Sequence, residues 1–225
     1  MRRRVAFHSA SRDAIWPGEP QGGEPVQRRI KTIIFGATVA ALALGAGIGL
    51  RQVMDVRTPI TGAQVATKLG APFELVDHDG ATITEAAFTG RPSLLFFGFT
   101  HCPEVCPTTV YDMETWLSDL DVGSDEIGAY FVTVDPERDT PGYLRDYLEP
   151  QSDRIVGITG EPEAVWEMAK SWRVYWQKRP LGDGEYTLDH YASVFVLNAD
   201  GEVVDLIAYG EDAESAKAKI EAVLG

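Results

Sequence analysis

The chain has 225 residues, 44% of them hydrophobic, and a formal net charge of -14 at pH 7. This length suffices for one domain with its own core, and the acidic balance excludes nucleic-acid binding, which needs a basic face to displace counterions from phosphates. Two cysteines are too few for a disulfide-stapled scaffold or a four-thiolate zinc site, so a single bridge or a two-thiol site remains.

The N-terminal region differs in charge from the rest of the chain. Residues 1–31 carry seven Arg or Lys against three acidic residues and show no hydrophobic periodicity, which predicts a disordered basic tail. Residues 51–225 carry 13 basic and 31 acidic residues, a net charge of -18. We therefore expect a basic tail before residues 32–50 and an acidic domain after them.

That stretch, TIIFGATVAALALGAGIGL at residues 32–50, contains no charge. At about 1.5 Å per residue, a helix of this length spans roughly 28 Å, close to the hydrocarbon thickness of a bilayer. It predicts a transmembrane helix, and the basic residues before it predict a cytoplasmic N-terminus. A cleaved signal peptide is the alternative, but the run is longer than the usual apolar h-region of a signal peptide, and RQVMDVRTP after it has no small-x-small cleavage site.

The predicted topology exports the acidic part of the chain. Residues 51–70 are expected to be a linker, and residues 71–225 an exported domain in a compartment where disulfides persist. We expect a single-pass protein of the bacterial inner membrane with a periplasmic domain. The mitochondrial inner membrane, with the domain facing the intermembrane space, is the alternative.

The first half of the domain begins with strand signals. Alternating runs flank Asp79-Gly80 within residues 73–88, which predicts a β-hairpin. The nearly continuous apolar run SLLFFGFT, residues 93–100, predicts a strand buried on both faces. Pro107 suits the first turn of a following helix. The apolar face of this helix is expected to comprise Val110, Met113, Trp116 and Leu117.

The second half of the domain continues the alternation of strands and helices. IGAYFVTVD predicts a second buried strand, Thr140-Pro141 caps a helix, and IVGITG opens a third strand before the amphipathic PEAVWEMAKSWRV. Two strands around Asp200-Gly201 and a closing helix complete the order β-α-β-α-β-α-β-β-α after the hairpin. This order predicts a three-layer α/β sandwich of thioredoxin type with an N-terminal β-hairpin extension.

Cys102 and Cys106 lie where the first buried strand passes into a helix, at the sheet edge where α/β proteins place their sites. If residues 102–106 make a helical turn, the two side chains share a face with Cβ atoms about 6 Å apart. Such a pair can close a disulfide or hold one metal ion, and a helix N-terminus favours the thiolate. An inert structural disulfide is the alternative, but a loop this short constrains an unfolded chain little.

Four segments in order resemble the Sco/SenC family of membrane-tethered copper proteins, which serve assembly of cytochrome c oxidase. The segments are GFTHCPEVCPTT, VTVDPERDTPGYLRDYL, ITGEPEAVWEMAKSWRVYW and LDHYASVFVLNADGEVV. The resemblance runs from about Phe73 to the C-terminus. It implies that Cys102 and Cys106 are paired thiolate ligands of copper and that His190 is the histidine ligand.

The resemblance also bears on residues around these ligands. It matches Asp135 and Asp139 to aspartates of the family, which suggests a place beside the metal or at a partner dock; the alternative is that turn and cap chemistry accounts for at least one of them. Tyr191 stands where the family often has a small hydroxyl residue, a departure that removes no ligand. The other histidines of the domain have ordinary expected places: His101 beside the site or at the surface, and His78 in a solvated loop.

The chemistry of the three implied ligands fits copper. Two soft thiolates and an imidazole suit Cu(I) best, and Cu(II) is the alternative oxidation state. Mg²⁺ and Ca²⁺ instead prefer oxygen ligands. Zinc usually takes a fourth ligand, which the sequence does not offer.

Two functions follow from these residues. The first is a metallochaperone, not an enzyme, that receives copper from a donor protein and delivers it to the dinuclear copper site of cytochrome c oxidase subunit II or to another exported copper protein. The second is a membrane-tethered thiol-disulfide oxidoreductase in which Cys102 and Cys106 are the catalytic redox pair and reduce the cysteines of that site. The CxxxC spacing and His190 favour the first, and a CxxC would favour the second.

Overall fold

The computed structural model describes residues 66–225. The predicted basic tail, the predicted membrane span at residues 32–50 and most of the linker lie outside the described residues. Within residues 66–225, no helix has the length and apolar character needed to cross a membrane.

Strands and helices alternate along the described chain. The strands are β1 (Glu74–Asp77), β2 (Thr82–Thr84), β3 (Ser93–Gly98), β4 (Gly128–Thr133), β5 (Ile155–Thr159), β6 (Trp176–Gly182), β7 (Glu185–His190), β8 (Val194–Leu197) and β9 (Val203–Ile207). The helices are α1 (Val105–Asp119), α2 (Pro141–Leu148), α3 (Pro162–Ser171) and α4 (Ala213–Leu224), with a 3-10 turn at Glu85–Phe88.

Seven of these strands form one sheet in the order β2-β1-β5-β4-β3-β8-β9. β3, β4 and β5 pair in parallel, and the flanking strands pair antiparallel. Every residue of β3 and β4 is buried, as expected for central strands covered on both faces. The predicted hairpin around Asp79-Gly80 is confirmed as β1 and β2.

Successive aromatic residues of β3 show that helices cover both faces of the sheet. The Phe96 ring contacts Phe131, which in turn contacts Tyr147 of α2, each at 5.8 Å between ring centroids. The Phe97 ring points to the opposite face, where its centroid lies 6.1 Å from that of Trp172, just after α3. The predicted thioredoxin-like α/β fold with helices on both faces is therefore confirmed.

A second hairpin, β6 and β7, lies outside the seven-stranded sheet and was not predicted from the sequence. It pairs Trp176 with His190 at its base and turns through Asp183 and Gly184, both with positive φ. The Asp-Gly pair was an available signal for this turn. The hairpin was missed because β6 is solvent-exposed almost throughout and therefore lacks an apolar run.

Candidate metal centre

The turn between β3 and α1 brings the two cysteines together. α1 begins at Val105 and has Pro107 in its first turn, as predicted; Cys102 precedes the helix in a turn closed by a hydrogen bond from the Cys102 N–H to the Phe99 carbonyl. The Cys106 N–H donates to Cys102 Sγ over 3.3 Å. The two cysteines therefore do not share a helical face; the sulfur of one caps the helix that carries the other.

Gly98, the last residue of β3, makes room for the second cysteine. A Cβ atom at this position would lie 3.0 Å from Cys106 Sγ and within 2.9 Å of the Phe96 and Phe131 rings. Cys106 is fully buried against this strand. This role of Gly98 was not predicted from the sequence, although a glycine inside an apolar strand often marks a close approach.

His190, the last residue of β7, completes the cluster. Its Nε2 lies 3.4 Å from Cys106 Sγ, although 84 residues separate the two in the chain. The ligand atoms of Cys102, Cys106 and His190 all lie within 4.8 Å of one another, and this is the metal-ligating cluster found among residues 66–225. The imidazole packs against the Phe96 and Phe99 rings, at 6.1 and 5.5 Å between centroids.

The backbone after His190 sets which imidazole nitrogen carries the proton. Nδ1 lies 2.9 Å from the Tyr191 carbonyl oxygen, which only accepts, so Nδ1 is the donor and the Nε2 lone pair faces the sulfurs. The Tyr191 ring instead packs at 5.9 Å from Phe195. The contact to His190 thus comes from the main chain of Tyr191, which any residue would supply.

The two thiols differ in exposure and acidity. Cys102 is half-buried, and hydrogen bonds from the Cys106 thiol and from backbone N–H groups outweigh burial and lower the pKa of Cys102 to about 4. Burial raises the pKa of Cys106 above its usual range, and neighbouring Cys102 raises it further. Both cysteines are free of disulfides. At neutral pH the site therefore presents one partly exposed thiolate beside one buried thiol.

Asp139 supports the loop that carries the cysteines. Its buried carboxylate accepts from the Thr100 hydroxyl over 2.6 Å, the Thr100 N–H over 3.1 Å and the Thr133 hydroxyl over 2.6 Å. Burial raises its pKa, against the effect of these donors. Asp139 therefore fixes Thr100 and the start of the cysteine loop, and it is not part of the ligand cluster.

The two other described histidines lie outside the cluster. His101 stacks on Tyr143 at 5.3 Å between centroids and has its Nδ1 3.1 Å from the Thr100 hydroxyl, in keeping with a place beside the site. His78 is not a solvated loop residue, because its Nδ1 accepts from the Gly157 N–H over 2.9 Å and ties the first hairpin to β5.

Asp135 is also buried and lies outside the ligand cluster. Its carboxylate accepts from the Tyr186 hydroxyl over 2.7 Å and from Arg138 Nε over 2.5 Å. The contacts of Asp135 with Arg138 and Tyr186 were not predicted from the sequence; no linear pattern shows that Asp135 and Tyr186, 51 positions apart, meet.

Comparison with known proteins finds related sequences and a related copper-bound structure. Human "Protein SCO2 homolog, mitochondrial" is 32% identical over 200 residues, covering 88% of this chain and 75% of that protein. Arabidopsis thaliana "Protein SCO1 homolog 1, mitochondrial" is 32% identical over 148 residues, 65% of this chain and only 44% of that protein. The copper-bound structure of Bradyrhizobium japonicum ScoI is 36% identical with a TM-score of 0.65, covering 69% of this chain and 99% of that one.

A protein-family model also matches most of the chain. The model described as SCO1/SenC matches residues 61–225, which include the cysteine loop, both buried aspartates and the hairpin that carries His190. The chain therefore belongs to the SCO1/SenC family.

Proposed function

We propose that this chain is a membrane-anchored copper chaperone that binds copper through Cys102, Cys106 and His190. The observation that carries the proposal is the convergence of the three ligand atoms within 4.8 Å of one another. The related Bradyrhizobium japonicum protein holds copper. Two sulfurs and one imidazole nitrogen are the soft donor set that Cu(I) prefers.

The charge of the site suits transient binding of this cargo. Two thiolates and one Cu(I) carry -1 together, and a neutral imidazole leaves that charge unchanged. Cys102 is the accessible sulfur, and Cys106 is buried beneath it. Ligand exchange with a recipient would therefore begin at Cys102, where an incoming thiolate can reach the metal.

The recipient we propose is the dinuclear copper site of cytochrome c oxidase subunit II, or another exported copper protein, supplied in turn by a copper donor protein. The support is family membership, since the resemblance to Sco/SenC proteins implies a role in oxidase assembly. Residues 32–50 are proposed as the anchor, with the copper domain in the bacterial periplasm or, alternatively, the mitochondrial intermembrane space. A reporter fused at Gly225 should be active on the exported side; activity in the cytoplasm would contradict this topology.

Copper binding by the full-length, reduced chain tests the ligand set. We expect one copper per chain and at least a 10 to 100-fold loss of affinity in His190→Ala, about 2 kcal/mol or more, because a ligand contributes at least as much as its supporting contacts. The variant should still fold and form the Cys102–Cys106 disulfide. His101→Ala is the matched control, with wild-type affinity expected. Unchanged affinity in His190→Ala would remove His190 from the site.

The second candidate function is reduction of a partner disulfide. The observation that favours it is the half-exposed Cys102, with its pKa of about 4, next to a second thiol. The Cys102 thiolate would attack the partner disulfide and release one partner thiolate. Cys106 would then lose its proton and attack the mixed disulfide, so that two electrons pass to the partner and a Cys102–Cys106 disulfide remains.

Oxidase assembly in cells that carry only His190→Ala separates the two functions. Thiol-disulfide exchange needs only the sulfurs, whereas copper delivery needs the imidazole as well. Loss of assembly with intact disulfide chemistry supports delivery. Normal assembly would favour the reductase.

A further inference from the structure

The hairpin that carries His190 packs against the hydrophobic core through Trp176, Tyr186 and Leu188. β6 and β7 form a separate two-stranded sheet. Beyond the half-buried Trp176, every residue of β6 is exposed, and Leu188 is the one fully buried residue of β7. Burial of apolar surface therefore fixes the hairpin at only a few positions, one of which is Tyr186.

A partly buried polar cluster around Asp135 adds to this connection. We call Asp135, Arg138 and Tyr186 the hairpin clasp. Besides the two bonds to the Asp135 carboxylate, Arg138 Nη1 donates to the Tyr186 carbonyl over 3.1 Å, and the guanidinium lies 3.8 Å from the centre of the Tyr186 ring. One residue of β7 is thus held by its hydroxyl, its ring and its main chain.

A cation on β6 adds a second hold on the same side. Lys178 forms an ion pair with Glu137 of the loop after β4, and its Nζ lies 4.7 Å from the Tyr186 ring centre and 5.8 Å from that of Trp166. This pair is more exposed than the clasp, so we expect it to contribute less.

The clasp faces the same way as the metal ligand. Side chains alternate along a strand, so Tyr186, Leu188 and His190 share one face of β7, and the buried position of Leu188 identifies it as the face toward the domain. Tyr186 and His190 are about 13 Å apart along the strand. The orientation fixed at one end of β7 is therefore transmitted to the other.

The buried carboxylate of Asp135 favours one position of the β6–β7 hairpin. Asp135 is fully buried, and a buried carboxyl group needs hydrogen-bond partners. Moving the hairpin outward would take the Tyr186 hydroxyl away from Asp135. The arrangement that keeps Asp135 satisfied is the one that holds Nε2 of His190 beside Cys106.

We propose that Tyr186 and Arg138, acting on Asp135, are positioning residues that hold the His190 imidazole against the two sulfurs. This inference rests on the proposed copper site. It assigns the clasp neither a bond to copper nor a part in thiol chemistry.

The test is Tyr186→Phe in the full-length, reduced chain, which removes one hydroxyl and keeps the ring. Cu(I) affinity, measured by competition with a chromophoric chelator, should fall about 10-fold, the lower end of what a contact supporting a metal ligand contributes. In the Cu(II) form, the nitrogen splitting of the electron paramagnetic resonance spectrum should change. Tyr175→Phe is the matched control, because that hydroxyl bonds only to Gln177 at the start of the same hairpin.

A double-mutant cycle separates positioning from general stability. If the clasp acts through His190, Tyr186→Phe should have no further effect on copper affinity in a His190→Ala background. An equal loss in both backgrounds, or wild-type affinity and spectrum in Tyr186→Phe, would overturn the proposal. Arg138→Lys is the second variant, for the case that Tyr186→Phe folds poorly. It keeps the positive charge but loses the planar guanidinium contacts, and we expect the same His190-dependent loss of copper affinity.

The cycle also keeps this inference distinct from the proposed function. If His190→Ala alone binds copper normally, the three-residue copper site is wrong. If His190→Ala binds weakly and Tyr186→Phe binds normally, the site stands and only the clasp is wrong.

Discussion

The two halves of the candidate copper site are held by different kinds of contact. The cysteines follow β3, in which every residue is buried, whereas His190 ends a hairpin in which Leu188 is the one fully buried residue of β7. Apolar packing fixes the sulfurs, whereas for the imidazole we infer a polar hold through the hairpin clasp in addition to its packing on Phe96 and Phe99. We therefore expect that substitutions can alter the stability of this domain and the geometry of its ligands separately.

Truncation in the central strand should give the largest effect on stability. Leu94→Ala removes a fully buried side chain of β3 and should lower the free energy of unfolding by about 2–5 kcal/mol. The matched change in the hairpin, Leu181→Ala, removes a side chain that is 69% exposed and should cost within about 0.5 kcal/mol. Urea denaturation checks both, and equal losses would contradict the division between the two regions.

Alkylation should show a large contrast between the two thiols of the metal-free chain. The thiolate is the reactive form of a cysteine. The rate of Cys102 alkylation should therefore be independent of pH above about pH 6 and fall to half of its maximum near pH 4. Cys106 should react at least about 10-fold more slowly at pH 7, since burial both shields it and raises its pKa. Mass spectrometry after a timed iodoacetamide pulse measures each.

The Cys106→Ala variant provides the control for that profile. It removes the thiol that donates to Cys102, so the midpoint of Cys102 alkylation should move to higher pH. A midpoint that stays near pH 4 would show that the Cys106 thiol is not the main cause of the lowered pKa.

Filling the space at Gly98 should affect both stability and the site. Gly98→Ala places a methyl group 3.0 Å from Cys106 Sγ, and such overpacking costs about 1–3 kcal/mol. Copper affinity should fall because the sulfur must move. Gly142→Ala in α2 is the control: its Cβ would meet nothing within 4 Å, so the helix should gain up to about 1 kcal/mol. Thermal unfolding and chelator competition distinguish the two.

The smallest effect is expected at Tyr191. Its carbonyl, not its ring, contacts His190, so Tyr191→Thr should keep copper affinity within about twofold. The same competition measurement applies. A larger loss would mean that the packing of the Tyr191 ring on Phe195 also orients His190.

Sequence patterns predicted the parts of this molecule that depend on local chemistry. The apolar runs of β3 and β4, the Asp79-Gly80 turn and the Thr140 cap of α2 each have a short-range cause, and each is present. The cysteine pair was recognisable from its spacing and place after a strand. Its histidine partner was identified through the family resemblance, because 84 intervening residues leave no local signal.

The unpredicted parts depend on contacts between distant residues. The β6 sequence QKRPLG has no apolar alternation because solvent surrounds it, so its partner strand and its tie to Asp135 were both invisible. The need for a glycine at position 98 became apparent only when Cys106 was seen against it. Polar contacts and close approaches are set by the whole fold, and a linear pattern does not contain them.

The long separation between Cys106 and His190 links cargo loading to folding. A complete set of three ligands exists only after the chain has closed that loop, so an unfolded chain offers the sulfur pair alone. A ligand that binds only the native state stabilises it by mass action, by about 2.7 kcal/mol at 100 times its Kd. Under the proposed function, free copper would therefore protect correctly folded molecules against unfolding and proteolysis, and misfolded ones would remain unprotected.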